Sequence, residues 1–119
     1  MTMLLITAAV LAPNTHKATG EINTRWCSPS HCLTAPARHR YRVAIRGYRP
    51  WLRSVRMCES GGNYQSNGQF SGAYQFLPST WRSIGGRGMP HEAAPLEQDY
   101  FAVRLRQRDG TSPWPRCGA

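Results

Sequence analysis

The chain has 119 residues, enough for one small domain and at most a tail. Its 15 Lys+Arg against 6 Asp+Glu give a formal charge of +9, almost all of it arginine because Lys17 is the single lysine. Such a charge favours a polyanionic surface, a core this small often relies on a covalent staple, and the lack of a long apolar run excludes a membrane-spanning helix.

In chain order, residues 3–12 ("MLLITAAVLA") are apolar and about as long as the hydrophobic part of a secretory signal. A cleaved signal is the expectation, with a shallow hydrophobic tail as the alternative. No Lys or Arg precedes the run, and Pro13 follows the best small-residue site, Val10-x-Ala12. Residues 13–49 show no convincing amphipathic period, and Lys and Arg outnumber acids seven to one. They read as a poorly ordered basic linker or polyanion-binding tail, with "YRVAIRGY" as a candidate short strand.

The four cysteines, Cys27, Cys32, Cys58 and Cys117, fit disulfides formed outside the cytosol, with three pairings open from arithmetic alone. "CSPSHC" with His31 and His39 matches no strong zinc spacing. A local Cys27–Cys32 disulfide, or two unpaired thiols, is the preferred reading, and neither metal nor cofactor is expected.

At Pro50 the character changes, and residues 50–119 read as the folded domain. "PWLRSVRMCESGG" opens on proline and closes on glycines, the signature of a short helix. Trp51, Val55 and Cys58 form its apolar stripe. "NYQSNGQFSGAYQF" reads as a hairpin or irregular loop. "LPSTWRSIGG" again runs from proline to Gly-Gly. "PLEQDYFAVRLRQRDG" is the longest helix candidate, with Leu96, Tyr100 and Val103 on one face widened by Phe101 and Leu105. A bridge from Cys58 to Cys117 would close most of this domain and contribute about 4 kcal/mol in the chain-entropy model.

Glu59 falls in the last turn of the first of these helices. There the negative end of the helix dipole and the aromatic residues close in sequence both disfavour ionisation. A carboxyl kept protonated near neutral pH can donate a proton to a glycosidic oxygen. The plainer reading is a solvated glutamate at a helix end. Ser60 lacks a G-x-S-x-G context, and His91 has no evident acid partner, so serine chemistry is not expected. The glycines of "SIGGRGM" lack the lysine of a phosphate loop.

From "CESGGNY" through "GAYQF", "STW" and "GG" to the closing "WPRC", residues 50–118 resemble the resuscitation-promoting factors and related transglycosylase-like domains. That resemblance implies an α+β, mostly α, lysozyme-like fold acting on the glycan strands of peptidoglycan. It implies that Glu59 is the catalytic acid and that Cys58 pairs with Cys117. It places Gln75 and Thr80 at the sugar-binding cleft, with Asn63, Tyr64 and Asn67 in the loop after the acid as further sugar contacts. Leu77 stands where some members carry an aspartate.

Hydrolysing glycosidases usually flank the scissile bond with two carboxylates. Here the acids after Glu59, namely Glu92, Glu97, Asp99 and Asp109, read as surface or helix-start residues. The shortage favours a lytic transglycosylase over a muramidase. Glu59 would protonate the oxygen between N-acetylmuramic acid and N-acetylglucosamine, then deprotonate the C6 hydroxyl that attacks the anomeric carbon. The expected setting is secreted or wall-associated, or a phage virion. The expected protein is a monomer that touches anionic wall polymers, works with a partner hydrolase, and carries no specific nucleic-acid module. The alternatives are a non-catalytic peptidoglycan-binding module and a cationic polyanion-binding protein driven by residues 17–53.

Overall fold

A computed structural model describes residues 25–29 and 31–119. The expected leader at 3–12 and the first part of the linker lie outside the described residues. Those residues form four helices: α1 (Ala35–Ile45), α2 (Arg49–Ser60), α3 (Pro78–Ser83) and α4 (Pro95–Asp109). Short 3-10 turns sit at Arg46–Tyr48 and Pro90–Glu92. Among the described residues, strand pairing is confined to two isolated bridges, Cys27 with Cys32 and Ser71 with Phe76. Of the two readings of residues 63–76, hairpin or irregular loop, the structure takes the loop, with a single pinch. No helix among the described residues is long and apolar enough to cross a membrane.

The reading of residues 41–48 as a strand is overturned, and so is the reading of residues 35–49 as a poorly ordered linker. Residues 35–45 are helical, with Thr34 as the cap: its Oγ1 accepts from the Ala37 amide at 3.3 Å. Ala37 and Ile45 are buried. Between them Tyr41 stacks on Tyr100 of α4, with ring centroids 3.9 Å apart. These three positions are four residues apart and make one narrow face. Leu33, Ala37 and Ala94 form a small second core where this segment meets the start of α4.

α2 carries Pro50 in its first turn and is capped by Gly61, whose φ of 68° is a left-handed conformation that favours glycine. The Gly62 amide reaches back to the Arg56 carbonyl at 3.0 Å and completes the cap. The most deeply buried residues of α2 are Leu52 and Val55. Trp51 is half-buried, edge-on to Trp114, and Cys58 lies at the exposed margin of the expected stripe.

The main core gathers Leu52, Val55, Tyr74, Phe76, Trp81, Phe101 and Trp114. Aromatic rings meet edge-on through it, as in Trp81 against Phe101 at 5.0 Å. Two disulfides close the frame, Cys27–Cys32 and Cys58–Cys117. The second ties the end of α2 to the C-terminal segment. That segment is also held by Trp51 Nε1, which donates to the Gly118 carbonyl at 2.9 Å, and by Trp114 Nε1, which donates to the Tyr74 carbonyl at 2.9 Å.

Candidate active site

Glu59 lies one residue before the end of α2, so its position follows from the helix cap. Ser60 anchors that end by donating to the Ala73 carbonyl at 2.8 Å. The hydroxyl thus has a structural task at the helix end. The same contact brings the end of α2 against the pinched segment 71–76.

Glu59 is half-buried. Loss of solvent pushes its carboxyl above the usual range. Among the described residues it has neither a hydrogen-bond donor nor an ion-pair partner, and this sets it apart from the other described carboxylates. Glu92 Oε1 accepts from the Met89 amide at 3.2 Å. Asp109 pairs with exposed Arg108 at 2.9 Å.

Glu97 and Asp99 lie near the start of α4, in line with a helix-start position, but the surface reading of both is corrected. Glu97 is only 3% exposed and meets His31 Nε2 at 2.9 Å. Asp99 is partly buried, and its Oδ1 accepts from the hydroxyls of Tyr64 at 2.7 Å and Tyr74 at 2.5 Å. Burial pushes the Asp99 carboxyl up, against the downward pull of those two donors and of Arg56. Burial, then the Asp99 charge, pushes the Tyr74 hydroxyl upward as well. Glu97 stands in the first turn of α4 and Asp99 just after it, where spacing suggests a solvated N-terminus. Their partners lie 66 and 35 residues away in sequence, beyond the reach of local signals.

Two further residues were missed. Gln98 is fully buried and satisfied on every side. Its Oε1 accepts from the Ala73 amide at 2.9 Å, and its Nε2 donates to the carbonyls of Tyr64 at 3.0 Å and Ala93 at 2.9 Å. It holds the loop after Glu59 against the pinched segment. Gly72 permits this approach, since a Cβ there would lie 2.5 Å from Gln98 Oε1. His91, for which the sequence offers no evident acid partner, has its Nδ1 2.9 Å from the hydroxyl of buried Ser71.

The expected sugar contacts fall in two places. Gln75 and Thr80 line a groove of about 150 Å³ together with Phe70, Leu77, Leu105 and Trp114. Phe70 and Leu77 are 44% and 39% exposed there, so this groove offers apolar faces to solvent. Gln75 has φ 53°, the one non-glycine left-handed residue described. Its Nε2 donates to Ser66 Oγ at 3.0 Å and to the Gly72 carbonyl at 2.9 Å. Glu59 is not among the residues lining this groove. Asn63 and Tyr64 instead line a depression of about 440 Å³ with His91, Glu92 and the Cys27 loop. Asn63 Oδ1 accepts from the Gln65 amide at 2.9 Å, and Tyr64 is committed to Asp99. Asn67 is exposed in the same loop.

Residues 48–117 match the family model described as transglycosylase-like domain. The chain is 41% identical over 80 residues to the resuscitation-promoting factor RpfC of Mycobacterium tuberculosis, covering 65% of this chain and 56% of that protein. It is 40% identical over 62 residues to the resuscitation-promoting factor Rpf of Micrococcus luteus, covering 50% of this chain and 28% of that protein. It is 40% identical over 70 residues to the probable transglycosylase SceD 3 of Staphylococcus saprophyticus, covering 53% and 29%. The chain thus spans from about a quarter to little more than half of the length of these relatives. The chain belongs to the transglycosylase-like domain family, as a small, mostly helical member of lysozyme-like fold.

Proposed function

We propose that this domain cleaves the glycan strand of peptidoglycan between N-acetylmuramic acid and N-acetylglucosamine, with Glu59 as acid and then base. The observation that carries the reading is the isolation of Glu59. It is the one described carboxylate without a donor, and partial burial makes it a better proton holder. A carboxyl already accepting strong hydrogen bonds would be more acidic and a poorer general acid near neutral pH.

The other described acids are engaged by His31, by two tyrosines, by a backbone amide or by Arg108. That supports transglycosylation, in which Glu59 protonates the leaving oxygen and the C6 hydroxyl gives up its proton to the same group as it attacks. One carboxyl then serves both half-steps, and no second acid is required. Gln75 and Thr80, beside the exposed faces of Phe70 and Leu77, are proposed to hold the sugars. The Cys58–Cys117 disulfide and the family support a location outside the cytosol, at a cell wall.

The deciding measurement is mass spectrometry of soluble products from purified sacculi. Wild type should release anhydro-ended muropeptides, and Glu59→Gln should lower release at least a hundredfold while leaving binding to sacculi intact. Reducing-ended products would shift the reading to hydrolysis. Binding without release by wild type would leave only a glycan-binding module.

A further inference from the structure

The residues ahead of the family-matched region carry a feature that glycan cleavage does not use. Residues 25–47 contain five arginines and no aspartate or glutamate. Three of these arginines converge on one indole. The guanidinium carbons of Arg25, Arg38 and Arg42 lie 4.7, 4.9 and 4.9 Å from the centre of the Trp26 ring. All three are therefore within about 10 Å of one another, close enough to repel even through water.

The arrangement is built by two elements. Arg38 and Arg42 are one helical turn apart on α1 and project from the same flank. Trp26 comes from the turn of the Cys27–Cys32 loop, which the disulfide and the amide of Leu33, donating to the Trp26 carbonyl at 2.7 Å, hold in place. Arg38 Nη1 also donates to the Leu33 carbonyl at 2.9 Å, which fixes the direction of its fork. Among the described residues neither Arg38 nor Arg42 has a carboxylate within ion-pair distance. A merely solvated face would let such side chains spread apart. Here stacking on the indole gathers them, and each stack offsets part of the repulsion. The remainder favours an anion that meets several forks at once. Arginine forks match phosphate oxygens bidentately, whereas a lone carboxylate could engage only one of them well.

We propose that Trp26 with Arg25, Arg38 and Arg42 forms a docking site for the phosphodiester backbone of an anionic cell-wall polymer, separate from the glycan-cutting site on α2. The choice of a wall polymer over other phosphodiesters rests on the proposed function.

The test is co-sedimentation of the full chain with sacculi that keep their phosphodiester polymers and with sacculi stripped of them by hydrofluoric acid. Wild type should bind the unstripped sacculi at least tenfold more tightly. That advantage should shrink several-fold between 50 and 200 mM salt, as counterion release requires. Arg38→Gln/Arg42→Gln should lose at least tenfold on unstripped sacculi and be unchanged on stripped ones. Arg42→Gln alone, at an exposed position with no hydrogen bond to lose, should show part of the same loss if the double variant folds poorly. Arg87→Gln/Arg116→Gln removes equal charge elsewhere and should retain binding. An equal loss in that control, no loss in the Arg42 variant, or tighter binding to duplex DNA or anionic phospholipid vesicles than to unstripped sacculi would overturn the proposal. Muropeptide release from stripped sacculi is read separately, so failure of the docking site and failure of the glycan-cutting reading are distinguishable.

Discussion

His31 Nε2 and Glu97 Oε2 stand 2.9 Å apart, with side chains 13% and 4% exposed. This contact joins the Cys27–Cys32 loop to the first turn of α4, 66 residues away. The segment ahead of the family-matched region is thereby part of the fold. The contact can be removed from either side with different consequences. His31→Ala leaves a buried carboxylate without this partner and should lower stability by about 3 kcal/mol. His31→Ala with Glu97→Leu removes both polar groups and should recover much of that loss. Urea unfolding of the three proteins reads the difference. Equal stability of wild type and His31→Ala would show that solvent reaches Glu97.

The titration of Glu59 has consequences for stability as well as chemistry. Its carboxyl is raised by burial. A raised folded-state value stabilises the protein below the ordinary glutamate range, and that contribution is lost as pH rises through the folded value. At neutral pH the ionised side chain therefore works against folding. Glu59→Gln should match wild type near about pH 4 and be slightly more stable near about pH 8. Wild-type muropeptide release should fall as pH rises past the same titration, because the acid is then ionised. Thermal melts of both proteins at the two pH values give the first result. A variant less stable than wild type at the higher pH contradicts it.

Helices whose ends are set by neighbouring residues were legible in the sequence. α2 and α3 each place proline at the start and glycine just past the end, and Gly61 takes the left-handed conformation such a stop requires. α1 was not legible as a helix, because basic residues mask its narrow packed face and its partner Tyr100 lies far along the chain. Thr34 followed by Pro36 was the available signal, a capping residue before a proline in the first turn. The position of Glu59 at a helix end was legible for the same local reason. The burial of Glu97, Gln98 and Asp99 was not, since it depends on His31, Ala73, Tyr64 and Tyr74 arriving from elsewhere. The separation of Asn63 and Tyr64 from the groove of Gln75 and Thr80 is likewise a tertiary outcome.

The two disulfides differ in the length of chain they close, with sequence separations of 59 for Cys58–Cys117 and 5 for Cys27–Cys32. In the chain-entropy model these loops correspond to about 4 and about 2 kcal/mol. Replacing both cysteines of the long loop by alanine should therefore lower stability about twice as much as replacing both of the short one. Guanidinium midpoints of the two double variants test the order. The short-loop variant should also loosen the Trp26 turn, and weaker binding to polymer-bearing sacculi would accompany its smaller loss of stability.

Gln75 combines a left-handed backbone with a side chain that faces the groove and holds Ser66 and Gly72. A non-glycine residue in this region costs on the order of 1 kcal/mol. Two partly exposed hydrogen bonds return about 0.5–1 kcal/mol each. Gln75→Gly removes both the strain and the bonds, so stability should change by less than about 1 kcal/mol. Gln75→Ala keeps the strain and loses the bonds, and should be the less stable of the two by about 1 kcal/mol. If the side chain orients sugar as proposed, both variants should lose muropeptide release alike, by about tenfold, despite their different stabilities. Release that instead tracks stability across the pair would assign Gln75 to holding the loop. Loss of release in Gln75→Gly at unchanged stability would assign it to the substrate, since relief of backbone strain cannot by itself remove a sugar contact.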